Sequence, residues 1–189
     1  MTVADVLGEV DAECRRHSIP MLGLHKASRL VELIREHRPR LVVEVGTAIG
    51  YSGIWIADTL RELGQGRLIT LEMNAGRAAE AGRHFRQAGL DGLITQLVGD
   101  ARERIAEVEE PIDLLFLDGG FENYYPCLLR CRERLAPDAL LVADNAGIGA
   151  KEMADYLDYV RQNYTCKTEW FETDLPWNPR DAMEISKVG

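Results

Sequence analysis

A chain of 189 residues, 46% apolar and 28% charged, has enough material for one domain with a sizeable core. Its net charge of −9 argues against a nucleic-acid partner, because phosphates are met by basic surfaces. No apolar run approaches the ~18 residues of a membrane span, and the N-terminus lacks the basic-then-apolar order of a signal peptide.

The first elements are helical. Val3, Val6, Leu7 and Val10 recur at helical spacing within residues 1–17. Pro20 and Gly23 mark a turn, and a second helix runs to about His37. "LVVEV" (41–45) is the first strong strand, stopped by Gly46. A helix over 51–63 ends at Gly64 and Gly66. "RLITLE" (67–72) is the second strand, followed by a helix over 75–88 that ends at Gly89. "LITQLVGD" is the third, with a short helix over 101–107. Pro111 opens the fourth, "IDLLFLD", and a helix over 123–135 stops before Pro137. "ALLVADN" is the fifth, and a helix is expected over 150–163. "TCKTEWFET" and "DAMEISKV", around a turn at 174–180, read as a terminal antiparallel hairpin on the sheet edge.

The five inner strands are continuous apolar runs, the mark of strands covered on both faces. Alternation with helices makes this an α/β chain with a doubly wound, mostly parallel seven-stranded sheet and a C-terminal antiparallel hairpin. It is expected to be a single domain, 1–189. Residues 1–38 would form a lid, 39–148 the cofactor-binding core, and 149–189 the closing helix and hairpin. Cys14, Cys127, Cys131 and Cys166 contain no CxxC pair, so reduced thiols and a cytoplasmic location are expected. His37 and His84 read as helix-surface residues.

Ligands of such sheets bind at the carboxyl ends of the strands. After the first strand, "EVGTAIGYS" places Gly46 and Gly50 in a turn that opens a helix, whose free N–H groups favour an anion. After the second comes Glu72, 22 residues beyond Gly50, placed to accept ribose hydroxyls. After the third comes Asp100, able to accept from an adenine amino group beside Ala101, and equally able to cap the next helix. Glycines, an acid and an acid on successive strand ends suit an adenosine without pyrophosphate. A dinucleotide is disfavoured because no GxGxxG is present.

The runs "VVEVGTAIGYSGIWIADTL", "GRLITLEMN", "VGDARE", "IDLLFLDGG" and "LLVADN" resemble the successive motifs of class I S-adenosylmethionine-dependent methyltransferases. More narrowly, they resemble the catechol-type, cation-dependent O-methyltransferases, over about residues 20–148 and the closing "AMEIS" strand. The resemblance implies that the loop of Gly46, Thr47, Gly50, Tyr51 and Ser52 cradles the methionine end of the cofactor. Glu72 and Met73 would lie at the ribose, Asp100 and Ala101 at the adenine. Met21 would close over the methyl donor, and Glu44 would support the loop. Asp118 would face both the cofactor and the reaction.

The resemblance also implies a site for Mg²⁺ or another divalent cation on Asp118, Asp144 and Asn145. Hard oxygen ligands of this kind suit such a cation and leave room for a bidentate substrate. Taken without the resemblance, Asp118 could serve the cofactor or cap a helix, and Asp144-Asn145 could be turn formers.

Two departures stand out. The third residue after the first metal aspartate is normally a lysine acting as general base; here it is Phe121. A phenyl ring takes no proton. Cation activation alone can serve an acidic phenol, or Lys151, His25, Lys26 or Tyr124 can supply a base, or Phe121 can stack on an apolar acceptor or simply pack. Second, "AGIGAKEMADYL" enters a helix almost directly where the family carries a longer gating insertion, so an acceptor pocket that is more open, or completed by another subunit, is expected. Trp170, Trp177 and Tyr125 are candidate lining residues.

The expected function is S-adenosylmethionine-dependent O-methylation of a small hydroxylated, aromatic acceptor. The alternatives are a tRNA hydroxyuridine methyltransferase, which "EVGTAIGYS" and "IPM" also resemble, and a cofactor-binding relative with altered catalysis. The family often dimerises, so a homodimer is an expectation too.

Overall fold

The computed structural model describes residues 1–189. In chain order the elements are α1 (Val3–His17), α2 (Leu24–His37), β1 (Leu41–Val45), α3 (Tyr51–Leu63), β2 (Arg67–Glu72), α4 (Ala75–Gln87) and β3 (Ile94–Val98). There follow α5 (Ala101–Arg104), β4 (Ile112–Leu117), α6 (Tyr124–Cys131), β5 (Leu135–Ala143), α7 (Ala154–Asn163), β6 (Thr165–Leu175) and β7 (Asn178–Lys187).

Successive strand residues point to opposite faces. Along β4, Leu114 and Phe116 enter one core with Val6, Leu30, Ile54 and Phe85. Leu115 and Leu117 enter the other with Tyr124, Leu128 and Tyr156. Both faces are therefore apolar, and α1–α4 and α6–α7 supply the two covers. The strand order is β3-β2-β1-β4-β5-β7-β6. β1 pairs in parallel with both β2 and β4, so the order in which strands are added to the sheet reverses between β1 and β4 and opens a crevice there. β7 runs antiparallel between β5 and β6, which makes β6 the edge.

Five boundaries differ from the sequence expectation. β5 begins at Leu135, because Leu135 already pairs with Ile112 across an irregular register. α7 begins at Ala154, since residues 146–153 form turns that carry the chain over the β5 end. The helices after β3 and β4 end at Arg104 and Cys131, each giving way to a tighter 3₁₀ turn. The terminal hairpin is tighter than expected, pairing up to Leu175 and Asn178.

Two glycines shape the crevice. Gly46 has φ +102, and a Cβ there would lie 2.3 Å from the Asp118 carbonyl oxygen. Gly50 has φ +98, and a Cβ there would lie 2.8 Å from the Phe85 ring. Only glycine combines that backbone with that approach.

Candidate functional site

A cavity of about 820 Å³ lies over the ends of β1, β2, β4 and β5. It is roofed by Met21 and Leu22, from the segment before α2, and by Leu175 and Trp177 of the hairpin. The roof is tied down across the chain. Leu24 N–H donates to Asp174 Oδ1 at 3.2 Å, and Arg15 pairs with the same carboxylate. Arg29 binds Glu169 of β6 at 2.8 Å.

In one half of the cavity, two acids are satisfied by neutral donors. Glu44, fully buried at the end of β1, accepts from Ser52 Oγ at 2.5 Å and Thr70 Oγ1 at 2.6 Å. Burial pushes its carboxyl up to about 7 despite these two hydrogen bonds. Glu72, half-buried, accepts from the Ala48 N–H at 2.9 Å and the Asn74 N–H at 2.9 Å. Ala48 has φ +47, a left-handed conformation that the Glu72 bond helps hold. The first turn of α3 has no side-chain cap, so its leading N–H groups face the cavity without an internal partner.

The other half is charged. Lys26, on α2 and 1% exposed, reaches Asp144 Oδ2 at 2.7 Å and Asp181 Oδ2 at 3.0 Å. Burial alone would lower its pKa, but the Asp144 and Asp181 charges outweigh it and the ammonium is held above its usual range. Burial raises Asp118 well above the carboxylate range, and the Asp144 charge adds to the shift. Burial likewise lifts Asp144 to about 6, against the pull of Lys26. Asp181 goes the other way. Burial raises it, yet Lys26, the Ile148 N–H and the Asn145 amide together hold it below the usual range.

Most of the residues expected from the sequence converge here. Met21, Gly46, Thr47, Tyr51, Ser52, Glu72, Met73, Ala101, Asp118, Asp144 and Asn145 all line the cavity. Gly50 stands just behind, at the start of α3, and Glu44 is buried beneath the loop. Three are placed otherwise. Asp100 does not line the cavity; it caps α5 and is bound by Arg102 at 2.5 Å, so its oxygens face that guanidinium. Lys151 lies exposed in the turns before α7, outside the cavity. Lys26 is present but paired as an ammonium, which is the wrong state for a base.

Of the remaining base candidates, His25 is exposed with Nδ1 on the Glu172 carbonyl at 2.5 Å, and Tyr124 is fully buried beneath the cavity. His84 is no surface residue. It is 6% exposed and donates from Nδ1 to the Ile49 carbonyl at 2.8 Å, under the cofactor loop. His37 is half-buried and bonds the Asp113 carbonyl at 3.1 Å.

Phe121 both packs and lines. It sits edge-on to Tyr124 at 6.1 Å, and its ring fills the space where a Cβ on Gly149 would be. Trp177 lines the cavity as expected. Trp170 instead lies outside under Arg180, and Tyr125 packs on Tyr159. Asp181 was missed by sequence reasoning. The only signal for it was its place in the closing strand.

The fit of a divalent cation rests on three observations. Asp144 Oδ1 is buried, with Lys26 Nζ at 2.7 Å and no hydrogen-bond donor besides. The three carboxyl groups of Asp118, Asp144 and Asp181 share a single ammonium, so every ionised carboxylate beyond the first leaves the cluster with excess negative charge. Asn145 gives its amide N–H to Asp181 at 2.8 Å, which leaves its oxygen free. Hard oxygen donors with a net charge of this sign fit Mg²⁺.

Comparison with known proteins agrees with this geometry. A family model described as a methyltransferase domain matches residues 43–146. Catechol O-methyltransferase B of Danio rerio is 32% identical over 190 residues, covering 96% of this chain and 70% of that protein. Catechol O-methyltransferase of Mus musculus is 33% identical over 164 residues, covering 82% of this chain and 60% of its own length. Among solved structures, the O-methyltransferase TomG of Streptomyces achromogenes, in complex with SAM, superposes with a TM-score of 0.86 at 22% identity, covering 97% of this chain and 89% of that one. An O-methyltransferase of Bacillus cereus in complex with SAH gives 0.85 at 20%, covering 98% and 91%. These two likenesses show the fold. No helix is long and apolar enough to cross a membrane. The comparisons favour the O-methyltransferase reading over the tRNA alternative. The chain belongs to the class I S-adenosylmethionine-dependent O-methyltransferases of the catechol type.

Proposed function

We propose that the chain methylates an oxygen of a small hydroxylated aromatic, assisted by a divalent cation. The observation that carries this reading is the join of two unlike half-sites in one cavity. One is lined by a glycine turn, a helix N-terminus and Glu72; the other gathers three carboxyl groups around one ammonium.

The N-terminus of α3 suits the cofactor's carboxylate. Glu72 suits the ribose hydroxyls, with Met73 and Ala101 alongside the adenosine. Glu44, through Ser52, holds the loop in shape. S-adenosylmethionine supplies an electrophilic methyl group on a sulfonium. Asp118, Asp144 and the Asn145 oxygen would hold the cation, which would lower a hydroxyl pKa and orient its oxygen. Phe121, Ile148 and Trp177 give the acceptor an apolar wall beside that cluster. Because Phe121 takes no proton and Lys26 stays an ammonium, acceptors of phenolic acidity are favoured over aliphatic alcohols.

The same reading takes 1–189 as one domain with 1–38 as its lid, a cytoplasmic location and a homodimer. Light scattering after gel filtration tests the last.

The activity test is S-adenosylhomocysteine formation across a panel of catechols and monophenols, with Mg²⁺ or with EDTA. Turnover on vicinal diols that EDTA abolishes is expected. Turnover indifferent to EDTA would overturn the role of the cation. Tight S-adenosylhomocysteine binding with no turnover on any hydroxylated aromatic would favour the cofactor-binding alternative.

A further inference from the structure

Asp181 is 0% exposed and lies in β7, on none of the strand ends that form the crevice. Its carboxylate accepts five hydrogen bonds. Oδ2 takes Lys26 Nζ at 3.0 Å, Asn145 Nδ2 at 2.8 Å and Asn178 Nδ2 at 3.2 Å. Oδ1 takes the backbone N–H of Gly147 at 3.2 Å and of Ile148 at 3.0 Å. The approach is close enough that a Cβ on Gly147 would lie 2.8 Å from Oδ1.

These donors share a purpose that packing alone does not require. Four of the five belong to the cation half of the cavity or to the loop that carries it. Asn145 stands at φ +59, in the left-handed region. Its amide has two orientations of nearly equal shape. With Nδ2 drawn to Asp181, the oxygen is the atom left for the cavity. The Gly147 and Ile148 bonds hold the turn that sets Asn145 at that φ. Lys26 is shared between Asp181 and Asp144, lying 2.7 Å from both Asp144 oxygens, which fixes the plane of that carboxylate.

We infer that Asp181 is a positioning residue for the divalent-cation site, fixing the amide orientation of Asn145 and, through Lys26, the carboxylate of Asp144. It does not itself touch the cation or the acceptor in this role. Outer partners of this kind orient ligand atoms, and their loss commonly weakens metal binding by ~10–100-fold. The inference rests on the cation-assisted reading above.

The test is Mg²⁺ calorimetry on protein saturated with S-adenosylhomocysteine. The variants are Asp181→Asn and the exchanged pair Asn145→Asp/Asp181→Asn. In the single variant the acceptor facing Asn145 becomes ambiguous, and Mg²⁺ affinity should fall by about tenfold or more. S-adenosylhomocysteine affinity should stay within about twofold, because that ligand uses the other half of the cavity. The exchanged pair restores a donor–acceptor match across the same contact and should recover much of the loss.

An unchanged Mg²⁺ affinity in Asp181→Asn would overturn the inference while leaving the cation-assisted reading intact. Equal loss of Mg²⁺ and S-adenosylhomocysteine binding would also overturn it, since that marks general collapse. Wild-type protein that binds no Mg²⁺ would overturn both. If Asp181→Asn does not melt cooperatively, the exchanged pair decides alone. Mg²⁺ affinity within about tenfold of wild type supports the inference, and its loss with cofactor binding kept refutes it.

Discussion

The two halves of the cavity bury acids in opposite ways. Glu44 and Glu72 are met by hydroxyls and backbone N–H groups, all neutral, from β2, the start of α3 and the loops after β1 and β2. Asp144 and Asp181 share a lysine from another layer, Asp181 having four neutral donors besides, and Asp118 has no side-chain hydrogen bond. The first half is a finished structure that a ligand joins. The second is electrostatically incomplete as built, and in the proposed function that incompleteness is what would draw a cation. Neutral donors cost little to bury once paired, whereas clustered like charges store repulsion until something of opposite sign arrives.

The largest expected effect lies in the charged half. Lys26→Met strands the buried carboxylates without their ammonium and should cost about 3–5 kcal/mol, the scale for breaking a buried ion pair. Urea denaturation at pH 7.5 reads this directly, and added Mg²⁺ should restore part of it. A variant as stable as wild type would erase the contrast between the halves.

Glu44 tests the neutral half through pH. Its folded pKa of about 7 lies above the ordinary value of 4.5, so the folded state holds a proton that the unfolded chain releases between those values. Stability from this group is therefore present below about pH 4.5 and lost as pH rises towards 7, by about 3 kcal/mol if no other group interferes. Glu44→Gln should remove that part of the slope. The pH dependence of the urea midpoint, wild type against variant, checks it; parallel curves would show that Glu44 stays ionised throughout.

Glu72→Ala removes a cavity acid together with the acceptor for the Ala48 and Asn74 N–H groups. Cofactor binding should weaken by about 1–3 kcal/mol, with Mg²⁺ affinity unmoved. An unchanged S-adenosylhomocysteine dissociation constant would take Glu72 out of the site. The smallest effect is expected for Phe121→Lys. The ring is half-buried against Tyr124 and Gly149, so the change should cost about 1–2 kcal/mol with cooperative melting kept. A non-cooperative melt would make Phe121 a core residue first and a cavity wall second.

The halves also differ in how far they could be read from the sequence. Glu72 and Asp118 announced themselves because a buried strand that ends in an acid is itself a signal. Gly46 and Gly50 did so because a strand-to-helix turn needs them. Asp100 stayed ambiguous because an acid before a short helix satisfies the adenine pattern and the capping pattern alike; in the structure it caps α5 and is bound by Arg102, two residues on. Asp181 and the true state of Lys26 were out of reach. Their contact joins residues 155 positions apart, and no local pattern encodes which carboxylate a helix lysine will meet across a sheet. His84 was misread for a related reason: its helix periodicity is right for the surface, but the Ile49 carbonyl lies over it.

Lys26 is carried by α2, within the segment proposed above as a lid, yet its charge belongs to the floor. Removing or exchanging residues 1–38 would therefore do more than uncover the cavity. It would withdraw the one counter-charge on which Asp144 and Asp181 both draw, and a graft from a relative would succeed only if it delivered an ammonium to the same two oxygens. In this protein the lid is not an interchangeable part.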